Sequence, residues 1–379
     1  MTVRAIGIFG SIAAVAAVLT IGVPFGSVAS ADPSTIGTVE KSRGPIVIAH
    51  RGASGYRPEH TLAAYRLAIR QGADVIEPDL VPTRDGVLVA RHENEISGTT
   101  DVADHPEFAD RRATKVIDGV QVTGWFTEDF TLAELKTLRV RERLPELRPA
   151  NTRFDGEFEI PTLQEVIDLA RKAGTWTGRS IAIYPETKHP TYFRSIGLGL
   201  EPPLARTLRA NGLDGPDAPV LLQSFEPSSL RELNTLVDTP LFLNLNDRGK
   251  PYDFEVSGDP RTYADLATPE GLRWISSWGE GVSLNKNLIV PREPSGRLTE
   301  PTTVITDSHS AGLAVHSWTF RNENTFLPAD FRSGTDPVAW GDAAAEYSLF
   351  FSLELDGVFS DFPDTAIAAR DGFVKTRTV

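Results

Sequence analysis

Short apolar runs alternate along the chain with amphipathic segments of helical periodicity. Residues 61–71 form the first such segment, and three later ones begin with a capping-box pair, namely Thr131 with Glu134, Thr162 with Glu165, and Ser229 with Glu232. Apolar runs typical of buried strands begin at Ile46, Val75 and Val87 and span residues 181–184, 220–222, 241–243, 314–316 and 357–359. This alternation predicts a parallel sheet with crossover helices.

Eight apolar runs match the strand number of a TIM-type (β/α)8 barrel, so we predict that α/β fold. Residues 277–284 are a ninth candidate strand. Between His92 and Thr162 the chain is irregular and rich in charge, which predicts a loop insertion over the barrel mouth, at about residues 98–160, after the third strand. No internal repeat or linker divides residues 32–379, so we expect one barrel domain.

An Asp-Gly pair between two apolar runs predicts a β-hairpin. If Asp85 and Gly86 form a two-residue turn, residue 84 faces residue 87, and His92 faces Asp79 further along the hairpin. Opposed side chains lie about 5 Å apart, so this register would place His92 beside the acidic residues of the preceding strand. Pro82 favours a local irregularity, and a bulge would shift the pairing by one residue.

The first 31 residues have the features of an export signal. Arg4 supplies a positive end, residues 6–23 are apolar, and Ala29-Ser30-Ala31 is a small-residue cleavage motif. We expect a Sec-type signal peptide and a secreted or extracytoplasmic product without stable membrane insertion. An uncleaved membrane anchor is the alternative. The chain has no cysteine, which excludes a lipidated cysteine and disulfides.

The formal net charge of the 379 residues is −13. This charge argues against a nucleic-acid-binding surface and against a polybasic membrane patch, and it is compatible with cation binding. The length is enough for a large core, which a protein without disulfides needs.

Three carboxylates follow predicted strands. Glu77 and Asp79 are two residues apart on one strand and share a face, and Glu186 follows another strand end. At about 4 Å two carboxylates repel by roughly 4 kcal/mol at an effective dielectric of 20, so the cluster favours a bound divalent metal ion. Oxygen ligands suit Ca²⁺ or Mg²⁺ better than Zn²⁺, although His50 or His92 nearby leaves manganese or zinc open.

Two histidines and two cations complete a set suited to phosphodiester cleavage. Arg51 and Lys188 would hold phosphate oxygens, while one of His50 and His92 removes a proton from the attacking hydroxyl and the other protonates the leaving alkoxide. Structural roles compete with each assignment: a capped strand end for His50, a surface position for His92, outward salt bridges for the acidic pair, and mutual pairing of Glu186 with Lys188.

Further residues at strand ends are expected to line the same mouth. They belong to Gln223-Ser224-Phe225, to residues 316–320 and to Ser360-Asp361-Phe362-Pro363. Phe225 and Trp318 favour packing over binding, yet they could form an aromatic wall for an alcohol group. Glu59 lies in the first loop and is a candidate for binding substrate or for orienting Arg51. We expect the remaining histidines to be surface or structural residues: His105, His189 and His309.

The ordered set of these residues resembles the glycerophosphodiester phosphodiesterase family, in its exported bacterial form. The matching residues, in a region from about residue 46 to the end, are His50-Arg51-Gly52, Pro58-Glu59, Glu77, Asp79, His92, Glu186, Lys188 and Asp361-Phe362-Pro363.

The resemblance implies a TIM-type barrel that hydrolyses small glycerophosphodiesters, such as glycerophosphocholine, to sn-glycerol 3-phosphate and an alcohol. It also implies that His50 and His92 are the acid/base pair, that Arg51 and Lys188 face phosphate, and that the three acids hold a divalent metal, often calcium. His60 and Glu93 stand where many members have Asn and Asp, which affects pocket polarity and not reaction class.

Two further hypotheses remain. The same barrel could act on polymeric glycerol phosphate such as teichoic acid, or on a lysophospholipid, or it could be a non-catalytic cell-surface binding module. The intact histidine pair weighs against the last. The sequence leaves open head-group preference, oligomeric state, and whether water attacks directly or follows a cyclic phosphate.

Overall fold

The computed structural model describes residues 44–377. Its strands are β1 (Ile46–His50), β2 (Val75–Glu77), β3 (Asp79–Pro82), β4 (Leu88–Ala90), β5 (Ala113–Ile117), β6 (Val120–Gly124), β7 (Ala182–Ile183), β8 (Glu186–Thr187), β9 (Leu222–Ser224), β10 (Leu241–Leu245), β11 (Gly281–Asn285), β12 (Ala314–Phe320) and β13 (Gly357–Ser360). The predicted signal peptide lies outside the described residues, and its removal stays a prediction.

The helices lie mainly between the strands of the parallel sheet. They are α1 (Leu62–Arg70), α2 (Leu132–Leu135), α3 (Leu163–Thr177), α4 (Pro190–Ser195), α5 (Glu201–Ala210), α6 (Pro227–Leu233), α7 (Tyr252–Ser257), α8 (Tyr263–Leu266), α9 (Pro269–Ile275), α10 (Lys286–Ile289), α11 (Val304–Ser310), α12 (Ala343–Ser352) and α13 (Pro363–Arg377). Within residues 44–377 no helix combines the length and the apolar character that crossing a membrane requires.

The parallel strands close into a barrel, as predicted. β2 and β3 are halves of one strand interrupted at Pro78, and β7 and β8 are halves of another interrupted at Tyr184 and Pro185. β1 pairs with β2, the β2/β3 strand pairs with the β7/β8 strand, and the order then continues from β9 to β13. β13 pairs with β1 and closes the ring, which confirms the (β/α)8 barrel.

One predicted member of the barrel is wrong. The run at Val87 gives β4, but β4 pairs antiparallel with β3 and is not one of the parallel strands of the ring. A tight turn joins β3 to β4, and only antiparallel neighbours can be joined in this way. The eighth barrel strand is instead β11, from the region predicted as a ninth candidate, and it pairs in parallel with β10 and β12.

The predicted hairpin exists, but its register is wrong by one residue. Leu80 pairs with Ala90 and Pro82 with Leu88, so Asp79 faces Arg91 rather than His92. The amide of Thr83 donates to the carbonyl of Val87 at 2.9 Å, which leaves three residues, 84–86, in the turn. The third, Gly86, has φ +76°, the left-handed conformation that ends a three-residue hairpin turn.

Helix starts follow the predicted capping boxes in two of three cases. Both bonds of the box are present at Thr131 and at Thr162, and α1 begins after Thr61 as expected. The third prediction is wrong because α6 begins at Pro227, two residues before Ser229. The hydroxyl of Ser229 is buried and lies 2.9 Å from the hydroxyl of Thr187, so it cannot cap a helix.

The insertion follows β4, but it is more ordered than the predicted loop. It contains the antiparallel β5–β6 hairpin, the short helix α2 and several 3₁₀ turns. Asp118 and Gly119 form the two-residue turn of that hairpin, between the paired residues Ile117 and Val120. Both have positive φ, of +47° and +79°, as a tight two-residue turn requires.

Candidate active site

Six of the eight barrel strands place a polar side chain above an apolar one that packs inside the barrel. Alternate residues of a strand share a face, so the residue two positions after an interior residue points toward the same axis, nearer the carboxyl end. The interior apolar cluster and the polar residues that follow it form the pairs Ile48 and His50, Val75 and Glu77, Tyr184 and Glu186, Leu221 and Gln223, Phe242 and Asn244, and Phe359 and Asp361.

Five of these six polar residues, all except Asp361, line a cavity of about 300 Å³ at the carboxyl end of the strands. This is the end at which TIM barrels carry their active sites. Seven of the nine predicted site residues line this cavity: His50, Arg51, Glu77, Asp79, His92, Glu186 and Trp318. Glu59 and Lys188 do not line the cavity and instead contact residues that do.

The three predicted metal ligands form one acidic group. Glu77, Asp79 and Glu186 are buried, and each offers a carboxylate oxygen within 4.8 Å of the others. Among residues 44–377 it is the one group of three or more such side chains close enough to hold a metal ion. The outward salt bridges considered for Glu77 and Asp79 are therefore excluded by their position.

Burial and mutual repulsion govern the charges of this group. Burial, together with the charges of Asp79 and Glu186, raises the pKa of Glu77 well above its usual value. Burial also raises the pKa of Glu186 to about 7, although Lys188 opposes that shift. For Asp79 burial is outweighed by Lys188 and by a hydrogen bond from His60, which hold its pKa well below the usual value. The acids thus lack enough positive charge from the protein alone.

Neighbouring donors fix the orientation of the acids. Glu77 accepts from the backbone amide of Arg51 at 2.7 Å and from the amide nitrogen of Gln223 at 3.2 Å. His60 Nε2 lies 2.9 Å from Asp79 Oδ2, and Asn244 donates to Glu186 at 3.3 Å. Every one of the three carboxylates is therefore held by at least one donor from a neighbouring loop or strand.

The donor set fits a divalent cation of the hard type. All three acidic ligands are oxygen donors, as Ca²⁺ and Mg²⁺ prefer. Asn244 also lines the cavity, and its Oδ1 is buried without a hydrogen-bond partner among the described residues. A buried carbonyl oxygen of this kind is satisfied by a bound cation or hydroxyl.

The two cations differ in their access to the cavity. Arg51 lines it, and its guanidinium donates to both oxygens of Glu59, at 3.1 and 3.2 Å. Glu59 also pairs with Arg143 of the insertion, so it orients Arg51 from behind. Lys188 Nζ lies 2.9 Å from Glu186 Oε1 and 3.3 Å from His92 Nε2. The mutual pairing of Glu186 and Lys188 is present, but inside the site.

His50 is held by a carboxylate from the last strand. Its Nδ1 lies 2.6 Å from Asp361 Oδ1, while Asp361 Oδ2 accepts from Arg148 at 2.6 Å and from Arg321 at 2.7 Å. Although burial opposes its charge, these arginines hold the pKa of Asp361 well below its usual value. An ionised Asp361 accepts only, so His50 carries its proton on Nδ1 and presents a basic Nε2. Burial and Arg51 lower the pKa of His50 to about 4.

His92 has a parallel arrangement on the opposite side. Its Nδ1 lies 2.8 Å from Glu93 Oε1, and its Nε2 is near Lys188 as described above. Burial, Arg51 and Lys188 lower the pKa of His92 to about 3. Although Asp79 faces Arg91 in the hairpin, the next residue, His92, still lines the same cavity as the three acids.

Aromatic residues form one wall of the cavity. Phe225 and Trp318 both line it and meet edge to face, with ring centroids 5.5 Å apart. The indole nitrogen of Trp318 donates to the carbonyl of Ser283 at 2.9 Å, so packing and exposure to the cavity coexist. Beyond this wall the lining continues with amides and cations: Asn285, Lys286, Asn287, Arg292 and Arg321.

Several residues of the site carry no signal in the sequence that would assign them. Gln223 and Asp361 were placed at the mouth by their strand ends, but their contacts to Glu77 and His50 depend on barrel closure. Asn244 follows an apolar run and could have been found by extending the strand-end rule to β10. His189 was expected to be a surface or structural residue. It contacts Glu93 at 3.1 Å, and Glu93 in turn contacts His92.

The fold and the site define a TIM-barrel enzyme of the phosphodiester hydrolase class. Residues 50–365 match the glycerophosphoryl diester phosphodiesterase family, which covers most of the chain. The chain belongs to that family.

Two curated relatives illustrate the relationship. The sequence is 36% identical to glycerophosphodiester phosphodiesterase GDPD6 of Arabidopsis thaliana over 331 residues, covering 84% of each chain. It is 29% identical to a glycerophosphodiester phosphodiesterase of Haemophilus influenzae over 366 residues, covering 90% of this chain and 94% of the relative. The family resemblance stated from the motifs is thereby confirmed, while the exported form stays a prediction.

Solved structures share the fold. One from Silicibacter pomeroyi has a TM-score of 0.61 at 18% identity and covers 88% of this chain and 95% of its own. A phosphodiesterase of Oleispira antarctica, solved in complex with the product sn-glycerol-3-phosphate, has a TM-score of 0.53 at 21% identity and covers 88% of this chain and 99% of its own.

Proposed function

We propose that this chain hydrolyses glycerophosphodiesters to sn-glycerol 3-phosphate and an alcohol by a metal-dependent mechanism with His50 and His92 as the acid/base pair. The observation that carries the proposal is a single cavity lined by both histidines, Arg51 and the three clustered acids. The Oleispira relative, solved with sn-glycerol-3-phosphate, supports the choice of product.

Glu77, Asp79 and Glu186 would hold the metal ion, and Ca²⁺ is the ion we favour, with Mg²⁺ second. The raised pKa values of Glu77 and Glu186 support this, because a divalent charge would relieve the repulsion that raises them. When bound, the ion would neutralise a phosphoryl oxygen and increase the electrophilicity of phosphorus.

The histidines would transfer the protons. Each imidazole has Nδ1 bonded to a carboxylate, so Nε2 would be the nitrogen that transfers the proton, and in His92 this Nε2 lies 3.3 Å from Lys188 Nζ. One ring would accept a proton from the attacking hydroxyl, and the other would donate one to the departing alkoxide. The low pKa values of both rings arise first from burial and then from Arg51, with Lys188 adding to the effect on His92. An anionic phosphate bound beside these cations would offset that second cause and favour the protonated acid.

Arg51 would hold a non-bridging phosphate oxygen, because its guanidinium reaches the cavity while Glu59 fixes it from behind. Lys188 would act from the side of His92 and Glu186, where its charge faces both. Phe225 and Trp318 would form the apolar wall for the alcohol part of the substrate.

The test is release of glycerol 3-phosphate from glycerophosphocholine by the purified protein. We expect activity that a chelator abolishes and that Ca²⁺ restores, and losses of about 10³-fold or more in His50→Ala and His92→Ala. His309→Ala is the matched control, since His309 pairs with Asp356 away from the cavity. Activity that persists in chelator, or in either variant, would reject the assigned roles.

Two further arms of the assay address the other hypotheses. Polymeric glycerol phosphate and a lysophospholipid, compared with glycerophosphocholine at equal diester concentration, separate the substrate classes by kcat/KM. Detection of a cyclic glycerol phosphate would identify attack by the substrate's own hydroxyl, and its absence in rapid-quench samples would support direct attack by water.

We further propose that the protein is exported and loses residues 1–31. The support is the order of Arg4, the apolar residues 6–23 and the motif Ala29-Ser30-Ala31, together with a cysteine-free chain. Amino-terminal sequencing of the protein from a secreting host should give Asp32 as the first residue. An intact amino terminus on the cell-associated protein would favour the membrane-anchor alternative.

A further inference from the structure

Behind His92 lies a linear chain of alternating acidic and basic side chains. Glu93 contacts His92 with one carboxylate oxygen, at 2.8 Å, and His189 with the other, at 3.1 Å. The second ring nitrogen of His189 lies 2.6 Å from Asp118 Oδ2. The contacts therefore run without a gap from Asp118 through His189 and Glu93 to His92.

The outer end of this chain belongs to the insertion. Asp118 is the first residue of the two-residue turn between β5 and β6, and the hairpin projects it toward the barrel. Neither β5 nor β6 pairs with a barrel strand, so the contact made by Asp118 in the turn is one way in which the hairpin is connected to the site. Asp118 pairs with His189 from 71 residues away in sequence.

The middle residue of this chain, His189, has an unusual backbone. His189 has φ +48°, in the left-handed region that side chains other than glycine seldom adopt, and it precedes the first residue of α4. Such conformations cost on the order of 1 kcal/mol and persist where the surroundings fix them. Here the two carboxylates fix the ring of His189 between them.

Charge along the chain is ordered as well. Burial opposes protonation of His189, but the hydrogen bonds to Asp118 and Glu93 outweigh it and raise the pKa of His189 to about 9. The pKa of Glu93 is held below its usual value, against the effect of burial, by its bonds to His189 and His92. At neutral pH a cationic His189 makes charge-assisted hydrogen bonds to both carboxylates, which stabilises this chain of contacts.

We propose that Asp118, His189 and Glu93 are positioning residues that hold His92 in its reactive orientation. The β5–β6 hairpin would thus affect proton transfer through Asp118 without touching the substrate. The proposal rests on the acid/base role of His92 stated above. Glu93 fixes the proton of His92 on Nδ1, as a carboxylate does behind a catalytic histidine. Nε2, which lies 3.3 Å from Lys188 Nζ, is then the nitrogen that exchanges a proton with the substrate.

The test compares two substrates that differ in leaving group: glycerophosphocholine, which releases an alkoxide, and glycerol p-nitrophenyl phosphate, whose aryl oxide leaves without a proton. We expect His189→Gln and Asp118→Asn to lower kcat on glycerophosphocholine by about 10-fold, with KM within about twofold. The ratio of the rates on the two substrates should change in the same direction as in His92→Ala, because the variants act through that residue.

A double variant sharpens the result. His189→Gln should add no loss in a His92→Ala background if it acts only through His92. His105→Gln is the matched control: His105 also lies in the insertion between two carboxylates, Asp101 and Glu107, but outside this chain of contacts. It should leave kcat and the substrate ratio as in the wild type.

Three outcomes overturn the proposal. It is wrong if His92→Ala loses activity while His189→Gln behaves like His105→Gln, or if His189→Gln slows the His92→Ala enzyme as much as the wild type. It is also wrong if His92→Ala keeps full activity, and that outcome rejects the proposed role of His92 at the same time. Thermal unfolding monitored by circular dichroism checks that each variant is folded.

Discussion

The two histidines of the site are held in different ways. His50 is bonded to Asp361, which accepts from two arginines as well, and every member of that group except Arg321 is buried. His92 is bonded to Glu93, whose side chain is 52% exposed, and the support continues in single file through His189. We call Asp361 with Arg148 and Arg321 the interior anchor, which is branched. We call the linear series Glu93, His189 and Asp118 the peripheral anchor.

The difference follows from how each partner is brought into place. His50 and Asp361 are 311 residues apart in sequence, but Ala49 and Ser360 pair directly where β1 and β13 close the barrel. Closure of the fold therefore creates the His50 anchor. The His92 anchor begins with the adjacent residue and is completed by a loop and a hairpin, so it can change without changing the barrel.

The first prediction concerns the two carboxylates. Asp361→Asn should lower kcat by about 10³-fold, because an amide either favours the wrong tautomer of His50 or leaves Nδ1 unpaired. Glu93→Gln should cost about 10- to 100-fold, because its half-exposed position allows water to replace part of the contact. The measurement is steady-state kcat on glycerophosphocholine at saturating metal.

The matched control for Asp361 is Asp364→Asn. Asp364 lies three residues later, in the first turn of α13, and accepts from the hydroxyl of Tyr56 without reaching the cavity. We expect its kcat to stay within about threefold of the wild type. Equal losses for Asp361→Asn and Glu93→Gln would remove the distinction between the two anchors.

The second prediction concerns stability. Arg148 pairs with both Asp361 and Glu323 in a buried group, so Arg148→Met removes the cation that pairs with Glu323 and leaves Asp361 with Arg321 alone. We expect the free energy of unfolding in urea to fall by about 3 kcal/mol. Asp118→Asn, at the edge of the peripheral anchor, should cost about 1 kcal/mol or less.

Arg141→Met is the control for Arg148→Met. Arg141 belongs to the same insertion and pairs with Asp104, but both side chains are largely exposed. Its removal should leave the urea midpoint nearly unchanged. If Arg148→Met were no more destabilising than Arg141→Met, the interior anchor would not be the tighter of the two.

The sequence predicted the residues that touch the cavity better than the residues that hold them. His50, Glu77 and Glu186 were found because each lies at the end of an apolar run that predicts a strand, a pattern that can be read from neighbouring residues alone. Asp361 and Arg148 act on His50 across separations that only barrel closure and insertion docking determine. No local pattern records such contacts.

The two Asp-Gly pairs show the same limit on a smaller scale. Asp85-Gly86 was predicted as a two-residue turn but is part of a three-residue one, while Asp118-Gly119, which was not singled out, forms the two-residue turn. Both glycines have positive φ, but of the two aspartates only Asp118 does, as a two-residue turn requires. The flanking contacts decide the loop length: Thr83 Oγ1 bonds to Asp85 and accepts from the amide of Val87, which stabilises the longer loop.

The third prediction uses pH to probe the peripheral anchor. The pKa of His189 is raised in the folded protein to about 9 from an ordinary 6.5, so its contribution to stability is complete below about pH 6.5 and is lost as the pH rises through 9. Between pH 6 and pH 10 the wild type should lose on the order of 2 kcal/mol more than His189→Gln in urea unfolding.

The interior anchor should show no such dependence in this range, because Asp361 stays ionised and the arginines stay charged. The difference in unfolding free energy between the wild type and Asp361→Asn should therefore be the same at pH 6 and at pH 10. Parallel pH profiles of the wild type and His189→Gln would show that His189 is not charged between its two carboxylates.

The smallest effect is expected at the wall that neither anchor reaches. Trp318 packs edge to face on Phe225 and donates to the carbonyl of Ser283, so its ring is fixed by the barrel and not by the groups that hold the histidines. Trp318→Phe keeps an aromatic surface and loses one hydrogen bond, worth about 1 kcal/mol. We expect KM for glycerophosphocholine to rise about threefold with kcat unchanged, because a wall that contacts ground state and transition state equally contributes only uniform binding. A fall in kcat that matches Glu93→Gln would mean that the wall orients the reacting phosphate, and the site would then have three anchors of comparable weight instead of two unequal ones.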